Sequence, residues 1–277
     1  MNSPFRYAIC NETFLDWPLA KACDAAAAAG YGGIEIAPFT LAPLATDLSA
    51  AARSEIRRTI ARAGLDCVGL HWLLAKTEGF HVAHPEADVR RRTVDYLAEL
   101  VRLCHDLGGR ILVFGSPTQR SLLPGVVPSE ALAHIREVFT RLVPVLETTD
   151  TVVALEPLAP AETDVLTTAA ETCRLIEAIG SPHVRLHLDV KAMASEPTPT
   201  PEIIRASAPW LEHFHANDEN LQGPGFGLVD FVPILRALEE ISYAGWVSVE
   251  VFDYAPGSER LARESIDYMR RVEAELG

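Results

Sequence analysis

The sequence predicts an α/β protein built as a (β/α)8 TIM barrel, expected as one domain over residues 1–277. Short β-type apolar runs alternate with longer amphipathic stretches eight times along the chain. The joints between them are brief, which implies parallel βαβ units. Eight units in 277 residues without a linker favour a closed barrel over an open doubly wound sheet. No GxGxxG follows the first strand, where a dinucleotide-binding sheet would want one.

The strand candidates are RYAICNE (6–12), GGIEIAP (32–38), LDCVGLH (65–71), RILVFGS (110–116), TVVALEP (151–157), VRLHLDV (184–190), LEHFHAN (211–217) and WVSVEVF (246–252). Helices are expected from Pro18 to Gly30, Leu48 to Gly64 and Pro85 to Gly108. Further helices begin near Pro128, Thr167, Pro201 and Asp230, and the last fills the C-terminal stretch from Pro256. Gly30, Gly64, Gly108 and Gly180 stand where helices should stop, each with a strand soon after.

Composition narrows the function. The chain is 48% hydrophobic and 22% charged, which is globular and not disordered. Asp plus Glu outnumber Lys plus Arg by 38 to 24, a formal charge of −14, and that field repels nucleic acid and anionic membrane. No stretch is apolar for long enough to span a bilayer. The first residues lack a basic stretch followed by an apolar one, so no secretory signal is expected. Five scattered cysteines without a CxxC pair suit reduced thiols, and together these features predict a cytoplasmic protein.

Strand parity gives a sharper result, because residues two apart share a face. In 246–252 the valines Val247, Val249 and Val251 oppose Trp246, Ser248 and Glu250. Leu186, Leu188 and Val190 oppose Arg185, His187 and Asp189; Val153 and Leu155 oppose Ala154 and Glu156; Phe214 opposes His213 and His215. A barrel strand packs its aliphatic face outward against helices. Four consecutive strands therefore aim Glu156, Asp189, His215 and Glu250 at the C-terminal mouth, where active sites of this fold lie. Three buried carboxylates and one imidazole repel one another and are costly to desolvate unless a divalent cation joins them. Three oxygens and one nitrogen form a hard donor set, suited to Mn²⁺, Mg²⁺ or Co²⁺ and acceptable to Zn²⁺.

On ALEPL (154–158), LHLDVKAM (186–193), FHANDENLQGPGFGLVDF (214–231) and VSVEVF (247–252), the chain resembles the xylose isomerase-like TIM-barrel superfamily. Within it, the likeness is to the sugar phosphate isomerase/epimerase group, which includes ketose 3-epimerases, inosose isomerases and hydroxypyruvate isomerase. The resemblance implies one divalent ion, Mn²⁺ by preference, on Glu156, Asp189, His215 and Glu250. It also implies that Glu156 and Glu250 are the acid/base pair, and that the protein is a homodimer or homotetramer. The implied chemistry is isomerisation or epimerisation of a sugar or related polyhydroxy carbonyl compound. One glutamate removes a proton next to the carbonyl, the metal stabilises the enediolate, and the other glutamate returns a proton. The alternative on the same metal site is a dehydratase acting on a keto-cyclitol. An endonuclease IV-like nuclease and a non-catalytic sugar-binding barrel fit less well. Ala192 and Val232 stand where the nuclease branch would want histidines, and the intact glutamate pair argues against the inert barrel.

Two positions depart from ketose 3-epimerases of the group: Ala192 replaces a histidine three after the metal Asp, and the loop NDENLQGPG holds no arginine. His71, Lys191, Glu35 and His187 are the expected substrate-contacting residues. His187 and His213, one inward layer below their metal-type neighbours, also suit hydrogen-bonded barrel histidines. Trp17, Trp72 and Phe226 suit apolar walls for a sugar ring, although packing is the expected role of each. Basic residues are sparse around the loop 221–230, and Asp218 and Glu219 flank it, so an uncharged substrate is expected over a phosphorylated one. Arg120 is the cation that a phosphate reading would need.

Overall fold

The computed structural model describes residues 5–276. All eight expected strands form, each shorter at its C-terminal end than the apolar run that signalled it. They are β1 (Arg6–Cys10), β2 (Gly33–Ile36), β3 (Asp66–Leu70), β4 (Ile111–Phe114), β5 (Val152–Leu155), β6 (Val184–Asp189), β7 (Leu211–Ala216) and β8 (Trp246–Val249). Every neighbouring pair is parallel, and β1 pairs with β8 through Ala8 and Ser248, so the sheet closes into a barrel.

The helices follow the strands: α1 (Leu19–Ala29), α2 (Ala50–Arg62), α3 (Ala87–Leu107), α4 (Pro128–Thr149), α5 (Ala169–Ile179), α6 (Val190–Met193), α7 (Thr200–Ser207), α8 (Phe231–Glu240) and α9 (Ser258–Ala274). Gly30, Gly108 and Gly180 end α1, α3 and α5 in the left-handed conformation that glycine adopts at low cost. The one-turn α6, which helical periodicity is too short to signal, starts on Asp189, whose side chain caps the Ala192 amide at 2.9 Å. Among the described residues, no helix is long and apolar enough to cross a membrane, and none of the five cysteines is in a disulfide.

Two apolar clusters separate the layers. Val247, Val249, Leu186, Leu188, Val153, Leu155 and Phe214 pack outward into the large core beneath the helices, as parity requires. Ala8, Val68, Ile111, Val113, Val152 and Ala154 form a smaller cluster with Trp246. Two residues further along the chain, Ala8 gives way to Cys10, Val113 to Gly115 and Ala154 to Glu156. Of these three, Glu156 brings the charged side chain and Gly115 leaves the space beside it, which positions the site.

Candidate active site

Asp189 is the last residue of β6 and His215 lies near the end of β7, paired with it in register. Glu156 and Glu250 are the first residues beyond β5 and β8. All four side chains are buried. Donor atoms of Asp189, His215 and Glu250 lie within 4.8 Å of one another, as do those of Glu156, His187 and Asp189. Asp189 thus links two donor groups that together contain the four residues expected at the mouth.

Hydrogen bonds fix the side chains of Glu250, His215 and Asp189 and the backbone of Glu156. Glu250 Oε1 accepts from Trp72 Nε1 at 2.7 Å, and Oε2 faces His215 Nδ1 at 3.0 Å. Nε2 of the same imidazole is 3.2 Å from both Glu35 oxygens. One nitrogen of His215 therefore faces the mouth while a deeper carboxylate orients the ring, an arrangement typical of a metal-binding histidine. Asp189 Oδ2 accepts from Asn217 Nδ2, whose Oδ1 takes the Lys191 amide at 2.9 Å, tying β6 to β7. Arg120, fully buried, donates from Nη1 to the Glu156 carbonyl at 2.6 Å and is absent from the cavity wall. It braces the backbone of a glutamate.

The charges do not balance. Burial, then Glu250 and Asp189, push the Glu156 carboxyl well above its ordinary range. Burial, then Glu250, push Asp189 up to about 6. Burial also raises Glu250, yet His215, His71 and the Trp72 hydrogen bond together outweigh it and hold that carboxyl below the usual value. Burial opposes protonation of His215, but Glu250 and Glu35 raise it well above the histidine range. A divalent cation among these donors would relieve the carboxylate repulsion that the protein chain leaves standing, so the residues present fit one.

The four expected substrate-contacting residues divide. Lys191 lines a cavity of about 360 Å³ together with Glu156, Glu162, Glu250, Trp72 and Phe252. Glu35, His71 and His187 are fully buried and absent from that wall. Glu35 bonds His213 Nε2 at 2.8 Å and steadies His215. His71 Nε2 is 2.7 Å from Glu12 Oε2. His187 packs edge-on against the His215 ring with centroids 4.1 Å apart, and neither of its nitrogens has a hydrogen-bond partner among the described residues.

Several residues at the mouth were not singled out by the sequence, and Trp72, expected as an apolar wall or packing residue, also offers its indole N–H. Glu162, Ser116 and Gln119 line the cavity from loops, where no periodicity marks them. Glu12 lies in a 3-10 turn just past β1, in phase with Ala8 and Cys10, so parity applied to the expected run 6–12 would have found it. Trp72 has a left-handed backbone, φ 52°, a strained conformation for a bulky residue that aims its indole N–H at Glu250.

Gly115 bears on the site through what it lacks. A Cβ there would collide with Glu156 Oε2 and stand 2.8 Å from its Cδ. Gly115→Ala is expected to lower turnover by about 100-fold, because a displacement near 1 Å can cost that much. Its melting temperature should stay near wild type, since the colliding atoms end a side chain free to turn. Steady-state kinetics beside a thermal melt checks both.

The comparisons agree with this architecture. An L-ribulose 3-epimerase of Methylomonas sp. is 26% identical over 86% of this chain and 80% of its own. A D-psicose 3-epimerase of Enterocloster bolteae is 32% identical over a shorter stretch, 45% of this chain and 40% of its own. Among solved structures, the D-psicose 3-epimerase of Clostridium cellulolyticum H10 with D-tagatose superimposes with a TM-score of 0.86 at 19% identity, covering 97% of this chain and 99% of that one. The 3-keto-D-glucoside 4-epimerase of E. coli gives 0.83 at 20% identity, covering 96% and 99%. The family model described as xylose isomerase-like TIM barrel matches residues 23–272, and with the closed barrel this places the chain in the xylose isomerase-like TIM-barrel family.

Proposed function

We propose that this protein is a divalent-metal-dependent epimerase or isomerase of a sugar or related polyhydroxy carbonyl compound. The observation that carries the proposal is the presence of two buried carboxylates, Glu156 and Glu250, in the wall of one cavity, with Asp189 and His215 completing a metal-type donor set. The relatives named as epimerases of L-ribulose and D-psicose support the same reaction class.

Glu156, Asp189, His215 and Glu250 would hold the ion, and three oxygens with one nitrogen suit Mn²⁺, Mg²⁺ or Co²⁺. When bound there, a divalent ion supplies Lewis acidity toward a carbonyl oxygen. The chain's own residues do the rest. One glutamate takes the proton from the carbon next to the carbonyl, and the other delivers a proton from the opposite side. Delivery to the same carbon inverts it; delivery to the former carbonyl carbon moves the carbonyl. Trp72 and His215 keep the Glu250 carboxylate aimed, and Arg120 braces the backbone of Glu156. Burial of both glutamates keeps bulk water from reprotonating the intermediate at random.

The test is substrate-proton exchange. Mn²⁺-loaded protein in deuterated water, offered a panel of ketoses, should place deuterium next to the carbonyl and yield a product of unchanged heavy-atom composition. Loss of water would show the dehydratase reaction instead, and absence of exchange with every ketose would count against the proposal.

Lys191 sets the expected contact with substrate oxygens. Its Nζ donates to Glu162 Oε1 at 2.9 Å and lies 4.4 Å from the centre of the Phe252 ring, so a charged donor is held at the cavity wall near Glu156. Lys191→Met should raise KM by about tenfold, the scale of one lost charge-assisted hydrogen bond. The bound metal should be unchanged, which elemental analysis of the same preparation checks.

A further inference from the structure

Next to the cavity that holds Glu156 and Glu250 lies a second, larger one of about 600 Å³. The two share Trp72, Lys76 and Phe252 in their walls. Trp72 and Phe252 stack with centroids 6.0 Å apart and planes 21° from parallel, forming the partition. Beyond it the wall carries Leu15, Trp17, Phe39, Leu41 and Tyr254. A space of about 300 Å³ or more already suits a small ligand, so the first cavity alone has room for one sugar ring.

Three features show what the second space would take. Its aromatic rings suit the C–H faces of a sugar better than an ion. Its wall holds one lysine, Lys76, whose Nζ sits 4.1 Å from the Phe39 ring centre, while Asp16 and Glu12 supply negative charge to the same wall. Two carboxylates against one lysine disfavour an anion, so the wall suits a neutral occupant over a phosphorylated one. Finally, Leu15 is 50% exposed and has a left-handed backbone, φ 51°. With ψ at −125° the residue lies in a sparsely populated region that costs about 1–3 kcal/mol, and it holds an apolar side chain at the groove and not in the core.

We propose that this aromatic groove is a subsite for a second, uncharged sugar ring, so that the substrate class is a carbonyl sugar carrying a glycosyl substituent and not a free monosaccharide. This rests on the sugar-isomerase reading of the neighbouring cavity. The first ring lies against Glu156 and Glu250, and the glycosidic link passes the Trp72–Phe252 partition.

Two matched pairs test it with Mn²⁺-loaded protein: D-fructose against the ketodisaccharides lactulose and palatinose, and methyl 3-keto-β-D-glucoside against 3-ketocellobiose. The readouts are deuterium exchange from solvent and tryptophan-fluorescence titration. A disaccharide should be preferred in kcat/KM by about tenfold in at least one pair, the scale of one ring stacked on an aromatic wall. Trp17→Ala should bring that ratio to within about twofold of one, whatever it does to either rate alone. Leu15→Asp, at a half-exposed position, tests the same wall should the Trp17 variant fail to fold. Exchange in the monosaccharides without any disaccharide preference would overturn the subsite and leave the proposed reaction standing. A preference untouched by the soluble groove variants would also overturn it, since the second ring would then bind elsewhere. Fluorescence that saturates only with disaccharides, with no exchange in any sugar, would uphold the subsite and overturn the isomerase reading. With neither exchange nor disaccharide-selective saturation, both fall.

Discussion

Asp189→Ala is expected to leave the protein unable to retain a divalent ion through desalting and without measurable turnover. Asp189 is fully buried and belongs to both donor groups at the mouth, so its loss removes the residue that joins Glu156 to His215 and Glu250. The same carboxylate caps α6 through the Ala192 amide and accepts from Asn217. Alanine therefore also costs about 1 kcal/mol of stability from the lost cap. Asp189→Asn separates the two effects: its side-chain oxygen can still cap, while the negative charge that favours a cation is gone. Elemental analysis after Mn²⁺ loading should find about one ion per wild-type chain and little in either variant. Excess Mn²⁺ should raise the wild-type melting temperature, because a ligand that binds only the folded state stabilises it, and should leave both variants unmoved. Full metal occupancy in Asp189→Asn would disprove the assignment of Asp189 as a ligand.

The residues at the mouth differ in how far sequence alone could place them. Glu156, Asp189, His215 and Glu250 were legible because each lies near or just past the end of a strand whose aliphatic residues mark the opposite face, as Val247 and Val249 do for Glu250. Period-two alternation gives direction, inward or outward. It does not give depth. Glu35 and His187 point inward as expected, yet they lie in the buried layer against His215 and do not line the cavity that holds Glu156 and Glu250. His71 meets Glu12 instead of the cavity, since a short turn beyond β1 brings that carboxylate to it. Glu162 and Gln119 come from loops whose course is set by tertiary packing, and no local pattern announces them. Trp17, expected to pack, touches Phe14 with ring centroids 5.6 Å apart on one side and lines the second cavity on the other. Aromatic residues serve core and groove equally well, so residue type alone leaves that choice open.

Glu156→Gln and Glu250→Gln should each lower net turnover by about 1,000-fold or more, the range of a lost acid or base. Glutamine keeps the size of the side chain and an oxygen that can face a cation, so the fold and part of the metal affinity should survive. What distinguishes two bases from one is the exchange that remains. With one carboxylate on each side of the substrate carbon, removing either leaves the other able to take the proton from the epimer whose C–H bond faces it. That proton then trades with solvent and returns from the same side, giving deuterium incorporation without inversion. Glu156→Gln should therefore label one epimer only and Glu250→Gln the opposite one, neither producing the other epimer. Nuclear magnetic resonance of each pure epimer in deuterated water reads this directly. Loss of exchange from both epimers in one variant alone would make that glutamate the sole base, with the second carboxylate acting as a ligand only. Near-normal epimerisation in both variants would remove the glutamates from the chemistry altogether.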